Sequence, residues 1–146
     1  MAAERPAEPA LGYLLSDVVR LMKRDFYARA SGLGLTPALA KLLFHVHRKP
    51  GSHQTDLAQR LDVTPVTLCR MVDRLTERGY VRRQPDPADR RAVRVYVAAR
   101  GAPLVARMAR IADETGARAL RGVAARERTA LLKLLGKLAE NLSGGS

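Results

Sequence analysis

The chain holds one cysteine, Cys69, and no tryptophan. A single thiol excludes an internal disulfide framework and a zinc site built from several cysteines. No apolar run is long enough to cross a bilayer, and no basic-then-apolar leader opens the chain. A cytoplasmic protein without membrane contact is therefore expected. Catalytic constellations are missing as well. No Ser/His/Asp or Cys/His set, glycine-rich phosphate loop or carboxylate pair stands out, so neither an enzyme nor a cofactor is expected. His45 and His47 stand two apart on a helix and point in different directions. With no thiol or carboxylate constellation beside them, a zinc site is not expected.

Acidic residues are also in short supply. Lysine and arginine number 26 against 14 aspartates and glutamates, a net charge of +12. That excess suggests a polyanionic partner, most often nucleic acid. It does not locate the contact, because residues 1–50, 51–100 and 101–146 each carry four more cations than anions. The local pattern is more informative. Arg78, Arg82, Arg83, Arg90, Arg91 and Arg94 crowd one stretch, opposed by Asp86 and Asp89.

A length of 146 residues fits one domain with a sizeable core. MAAERPAEPA (1–10) and SGGS (143–146) read as flexible tails around a single unit, 11–142. Leu11, Leu14, Leu15, Val18, Met22 and Phe26 recur at helical spacing, and SGLGLTP then breaks the helix. Thr36 can cap a second helix with Pro37 at its first position. Leu39, Leu42, Leu43 and Val46 form its buried stripe. Leu57, Ala58 and Leu61 mark a short helix. Asp62-Val63 makes a tight turn, and Thr64-Pro65 opens another helix with Leu68, Met71, Val72 and Leu75 inward. Gly79 sits where a helix ends in a left-handed residue. Two short helices joined this way form a helix-turn-helix.

After Gly79 the period changes from 3.6 to 2. Tyr80–Gln84 and Val93–Val97 read as strands around the hairpin tip PDPADRR, which makes the unit a winged helix. From about Pro103 helical spacing returns, with Leu104, Val105, Met108, Ile111, Thr115 and Ala119 on one face. A last helix runs to about Leu142. Its Leu131, Leu132, Leu134, Leu135 and Leu138 cover more than one stripe, and a helix apolar over that much circumference needs cover on several sides. Leu11, Leu14, Leu15 and Val18 with Leu131, Leu134, Leu135 and Leu138 are therefore the expected subunit interface. The fold class is mainly α with a small β-hairpin wing. It comprises a winged helix-turn-helix lobe (36–101) between dimerisation helices at 11–35 and 103–142.

QTDLAQRLDV, VTLCRMVDRLTERGYVRR and DPADRRAVRVYVAARG, in that order and at these distances, resemble the multiple antibiotic resistance regulator (MarR) family of bacterial winged-helix transcription factors. The resemblance covers roughly Leu11 to Leu142. Three positions depart from the family pattern. Asp62 replaces a frequent glycine in the turn, Ala98 replaces a threonine after the second wing strand, and Ala124-Ala125 opens the last helix without a capping hydroxyl. Each missing cap costs on the order of 1 kcal/mol. Aspartate tolerates a left-handed turn better than most residues.

In a helix-turn-helix the start of the second helix reaches base edges in the major groove. Here those residues are Thr64, Pro65, Val66, Thr67 and Arg70. Arg70 suits guanine, and Val66 or a threonine methyl suits thymine. Arg74, Gln54 and Thr55 are candidate phosphate contacts. The resemblance implies that Arg91 enters the minor groove, which attracts arginine. Arg90 then meets phosphate, and Asp89 holds an arginine or the turn in place. It further implies a homodimer on a double-stranded, pseudo-palindromic operator. The expected role is a repressor released by a small phenolic or anionic effector, with Arg20, Lys23, Arg24, His45 and His47 as candidate pocket residues. Cys69, beside a predicted contact, is a candidate redox group. Two alternatives stay open: a ligand-independent activating or architectural DNA-binding protein, and a winged helix that binds protein.

Overall fold

Two Thr-Pro pairs set the frame of the DNA-binding lobe. In the computed structural model, which describes residues 10–144, α1 spans Leu11–Ala30 and a 3-10 turn follows at Ser31–Leu33. Thr36 then accepts the N–H of Leu39 at 3.3 Å and starts α2, Pro37–Arg48. Thr64 does the same for Thr67 at 3.1 Å and starts α4, Pro65–Glu77. A proline at the first helical position loses no hydrogen bond, since that N–H has no helical partner. Between them lies α3, Gln54–Leu61. The flexible tails expected at 1–10 and 143–146 lie outside the described residues except at Ala10, Ser143 and Gly144.

The turn of the helix-turn-helix is built on Asp62, at φ 54° and ψ 48°. Its N–H bonds to the Gln59 carbonyl at 3.1 Å, so the aspartate takes the left-handed role that glycine often fills. Gly79, at φ 74°, ends α4. The N–H groups of Gly79 and Tyr80 return to Thr76 and Leu75, both at 2.9 Å, closing the helix by the Schellman pattern. The chain leaves directly into β2, Val81–Pro85, which pairs antiparallel with β3, Val93–Val97.

The sheet has a third strand that the sequence pattern does not announce. β1, Ser52–His53, pairs with the other edge of β3, placing Ser52 opposite Val95 and His53 opposite Arg94. The order is β1-β3-β2. The wing is therefore tied on one side to the end of α4 and on the other to the start of α3.

The expected inward stripes of α2, α3 and α4 are buried. They meet Val81, Val95 and Met108 in one core. α5, Ala102–Ala119, contributes Leu104, Val105, Met108 and Thr115. Ala119, expected on that face, is exposed, where it borders an open cavity between α1 and α5. α5 is joined to α1 by Asp25, which accepts from Thr115 Oγ1 at 2.8 Å, Arg118 Nη1 at 2.8 Å and Arg29 Nε at 2.9 Å. α6, Ala125–Ser143, opens without a capping hydroxyl. Glu127 still accepts the Ala124 N–H at 2.9 Å, which supplies half of a capping box. No residue of α6 is buried.

Candidate nucleic-acid interface

The exposed start of α4 is shaped by its own cap. Thr64 accepts the backbone N–H of Thr67 and donates its hydroxyl to Thr67 Oγ1 at 2.9 Å. Thr67 receives that proton and keeps its own hydroxyl hydrogen to donate outward. Pro65 and Thr67 are exposed, and Val66 is 62% exposed. Such an apolar side chain at a helix start has the chemistry to meet a thymine methyl. Burial of Leu68, Val72 and Leu75 turns Arg70 and Arg74 toward solvent, where neither has a hydrogen-bond or ion-pair partner among the described residues.

The six clustered arginines divide into two kinds. Four hold the lobe together. Arg78 Nη1 donates to the Gly34 carbonyl at 2.7 Å. Arg82 donates to Gln84 Oε1 at 2.8 Å and stacks 4.6 Å from the centre of the Tyr96 ring. Arg83 reaches back from β2 to three places: Gln54 Oε1 at 2.7 Å, Asp73 at 2.6 Å and the Cys69 carbonyl at 3.1 Å. Arg94 grips Asp86 with Nε and Nη2, both at 3.0 Å. Arg90 and Arg91 are the other kind. Both are exposed, and their guanidinium groups have no partner among the described residues. Asp89 holds the turn and not a guanidinium: its Oδ1 accepts the Arg91 N–H at 3.0 Å, and its carbonyl accepts the Ala92 N–H at 3.0 Å.

Gln54, Thr55, Asp89 and Arg91 line one cleft of ≈310 Å³ between α3 and the wing. Because the Gln54 oxygen is taken by Arg83, its amide NH₂ is the group left to face outward. That is the polarity a phosphate requires.

Composition marks Asp86 only as a countercharge, yet it anchors the wing. It is 5% exposed. It accepts from His53 Nε2 at 2.6 Å, from both Arg94 nitrogens, and from the Ala88 N–H at 2.9 Å. The hydrogen bond from His53, followed by those from Ala88 and Arg94, lowers its pKa to about 2. A carboxylate depressed in the fold stabilises it above the unfolded-state value of 3.8, and that contribution is lost as pH falls through about 2. Asp86→Asn is thus expected to melt earlier than wild type at neutral pH. The gap should close progressively between pH 4 and pH 2, followed by circular dichroism. A gap that is constant with pH would contradict this role.

The candidate effector residues do not share one cavity of the chain. His45 lines a cavity of ≈890 Å³ between α2 and α3. Arg24 lines another of ≈390 Å³ between α1 and α5. Arg20 is paired with Asp17, while Lys23 and His47 are exposed. Helical spacing places each residue on its own helix but does not say which helices enclose a common space. Cys69 is exposed, with Sγ 3.6 Å from Arg83 Nη2. Among the described residues no cluster of three or more His, Cys, Asp or Glu could hold a metal, and no helix is long and apolar enough to cross a membrane.

A helix-turn-helix, a three-stranded wing and outward cations define a winged-helix, DNA-binding transcription regulator, a class without enzymatic chemistry. A family model described as MarR family matches residues 33–92. The crystal structure of a transcriptional regulator is 30% identical with a TM-score of 0.81, over 93% of this chain and 100% of that one. A MarR-family regulator from Silicibacter pomeroyi is 28% identical with a TM-score of 0.81, over 97% and 95% of the two chains. A MarR transcriptional regulator from Methanosarcina mazei Go1 is 27% identical with a TM-score of 0.78, over 90% and 94%. The chain belongs to the MarR family.

Proposed function

We propose that the chain acts as a homodimer that binds a pseudo-palindromic operator and represses transcription until a small anionic or phenolic effector releases it. In this reading 36–101 is the DNA-binding lobe, and the helices of 11–35 and 103–142 pair the subunits. Thr64, Pro65, Val66, Thr67 and Arg70 meet base edges, Arg91 enters the minor groove, and Arg74, Arg90, Gln54 and Thr55 meet phosphate. The observation that carries this reading is the set Arg70, Arg74, Arg90 and Arg91, without side-chain partners among the described residues and presented by one lobe whose other clustered arginines are engaged. Selection of bound genomic fragments at near-physiological salt, followed by footprinting, tests it. The expected product is an inverted repeat with half-sites about one helical turn apart. Binding that is indifferent to sequence and vanishes with modest added salt would refute it.

Dimerisation is supported by apolar surface with no cover. Leu11, Leu14, Leu15 and Val18 of α1 are exposed, as are Leu131 and Leu134 of α6, with Leu135 and Leu138 half-buried. An isolated helix of this length is marginal in water, so α6 needs a packed face. Leu14→Glu with Leu134→Glu is expected to weaken self-association by about 100-fold or more, since each change buries an unpaired charge. Sedimentation equilibrium reads the effect. A wild-type protein that is monomeric at micromolar concentration would exclude the dimer.

A further inference from the structure

Arg83 is half-buried in the middle of β2, and each of its nitrogens serves a different group. Nε donates to Gln54 Oε1 at 2.7 Å, at the start of α3. Nη1 pairs with Asp73 Oδ1 at 2.6 Å, and Nη2 donates to the Cys69 carbonyl at 3.1 Å, both on α4. A guanidinium donates and never accepts, and this decides which way the Gln54 amide is turned. The amide oxygen and nitrogen fill almost the same space, but only the oxygen can face a guanidinium N–H. The NH₂ group is left toward the cleft that Gln54 shares with Thr55 and Arg91.

Asp73 stands three residues after Arg70 on α4, a spacing at which opposite charges meet on a helix. Its Oδ1 is instead committed to Arg83, and Arg70 has no ion-pair partner among the described residues. One side chain therefore engages both an amide oxygen and a carboxylate beside the proposed contact surface. Either group, left facing DNA, would repel phosphate oxygens or capture a contact residue. We propose that Arg83 is a positioning residue for DNA binding: it withdraws the Gln54 oxygen and the Asp73 carboxylate, so that α3 and α4 present donors to the duplex. The proposal deepens the contacts assigned above to Gln54 and Arg70 and rests on that reading. Fixing the amide in advance removes an ordering cost from binding. Lysine cannot take over the task, because a single ammonium lacks the planar fork that spans these acceptors.

The test uses the full chain and an unrelated duplex, so it does not depend on finding an operator. Affinity is read by fluorescence anisotropy at fixed salt. The Gln54 side-chain amide is followed by NMR without DNA, its signals identified by their loss in Gln54→Ala. Gln54→Ala should weaken duplex binding by about tenfold, the loss of one hydrogen bond to a charged group. Arg83→Gln should weaken it by about 30-fold in wild type but only about threefold in a Gln54→Ala background, since one contact cannot be lost twice. Asp73→Asn should strengthen binding more in Arg83→Gln than in wild type. Arg82→Gln removes a cation from the same strand and should cost the same in both Gln54 backgrounds. The amide signals should shift in Arg83→Gln and stay in place in Arg82→Gln. Because Arg83 also holds the lobe together, Gln54→Glu supplies a variant that keeps its fold. The new carboxylate accepts from Arg83, so the protein should melt no earlier than wild type while duplex binding falls by at least about tenfold. Losses that multiply in the Arg83→Gln, Gln54→Ala protein overturn the proposal. So do amide signals indifferent to Arg83, or a stable Gln54→Glu protein that binds duplex as wild type does. Gln54→Ala binding duplex like wild type, with the amide still shifting in Arg83→Gln, removes the phosphate contact beneath the proposal and the proposal with it.

Discussion

Replacing Arg70 and Arg91 together by alanine is expected to weaken binding to the selected operator by about 1,000-fold, while leaving affinity for unrelated duplex DNA within about tenfold of wild type. A well-placed arginine contact to a base edge discriminates by about 1–3 kcal/mol. Arg70 lies on α4 and Arg91 on the wing, separate elements whose losses should multiply. Neither guanidinium has a partner among the described residues, so removing them should leave the melting temperature unchanged. Arg74→Ala and Arg90→Ala provide the contrast. As proposed phosphate contacts they should weaken specific and unspecific binding alike, and each should lower the salt slope by about one. Fluorescence anisotropy with operator and scrambled duplexes, over a range of salt, separates the two behaviours. A double variant that keeps the wild-type ratio of operator to scrambled affinity would rule out both assignments.

Gly101→Ala should destabilise the fold by about 3 kcal/mol, or lower the melting temperature by about 10 °C at fixed protein concentration. The reason is space. Gly101 has an ordinary helical φ of −78°, but a Cβ there would stand 2.1 Å from the Tyr80 carbonyl oxygen and 2.9 Å from its carbon. Backbone cannot rotate away as a side chain can. The same oxygen accepts the Ala98 N–H at 2.9 Å, so relief of the clash strains the junction of α4, β2 and α5. Gly101 is the N-cap of α5, where alanine is no better than glycine, so no helix propensity offsets the overlap. Gly116→Ala isolates the propensity. It lies inside α5 with nothing within 4 Å of its would-be Cβ, and it should gain about 0.5–1 kcal/mol. A Gly101→Ala protein as stable as wild type would show that the close approach at Tyr80 relaxes freely.

The two Thr-Pro starts, the inward leucines of α2 to α4 and the glycine ending α4 are legible in the sequence because each depends on neighbours within one or two turns. β1 is not. It is two residues long, shows no alternation, and exists only through pairing with residues some forty positions away. The arginines have the same limit. Arg82, Arg83 and Arg94 resemble Arg90 and Arg91 in composition, and only tertiary contact sets them apart. The strand register carries a partial signal, because it puts Arg82 opposite Tyr96. Asp86 gave no cue beyond its charge, and its partners His53 and Arg94 lie on two different strands. The candidate effector residues lie on α1 and α2, and that His45 and Arg24 line separate cavities depends on how the helices cross.

The division among the arginines bears on how this lobe can change over generations. Arg78, Arg82, Arg83 and Arg94 are tied into the scaffold, so substitutions there carry a folding penalty whatever they do to recognition. Arg70, Arg74, Arg90 and Arg91 have no such ties among the described residues. A lineage can exchange them, and so drift toward a new operator, without crossing a stability threshold on the way.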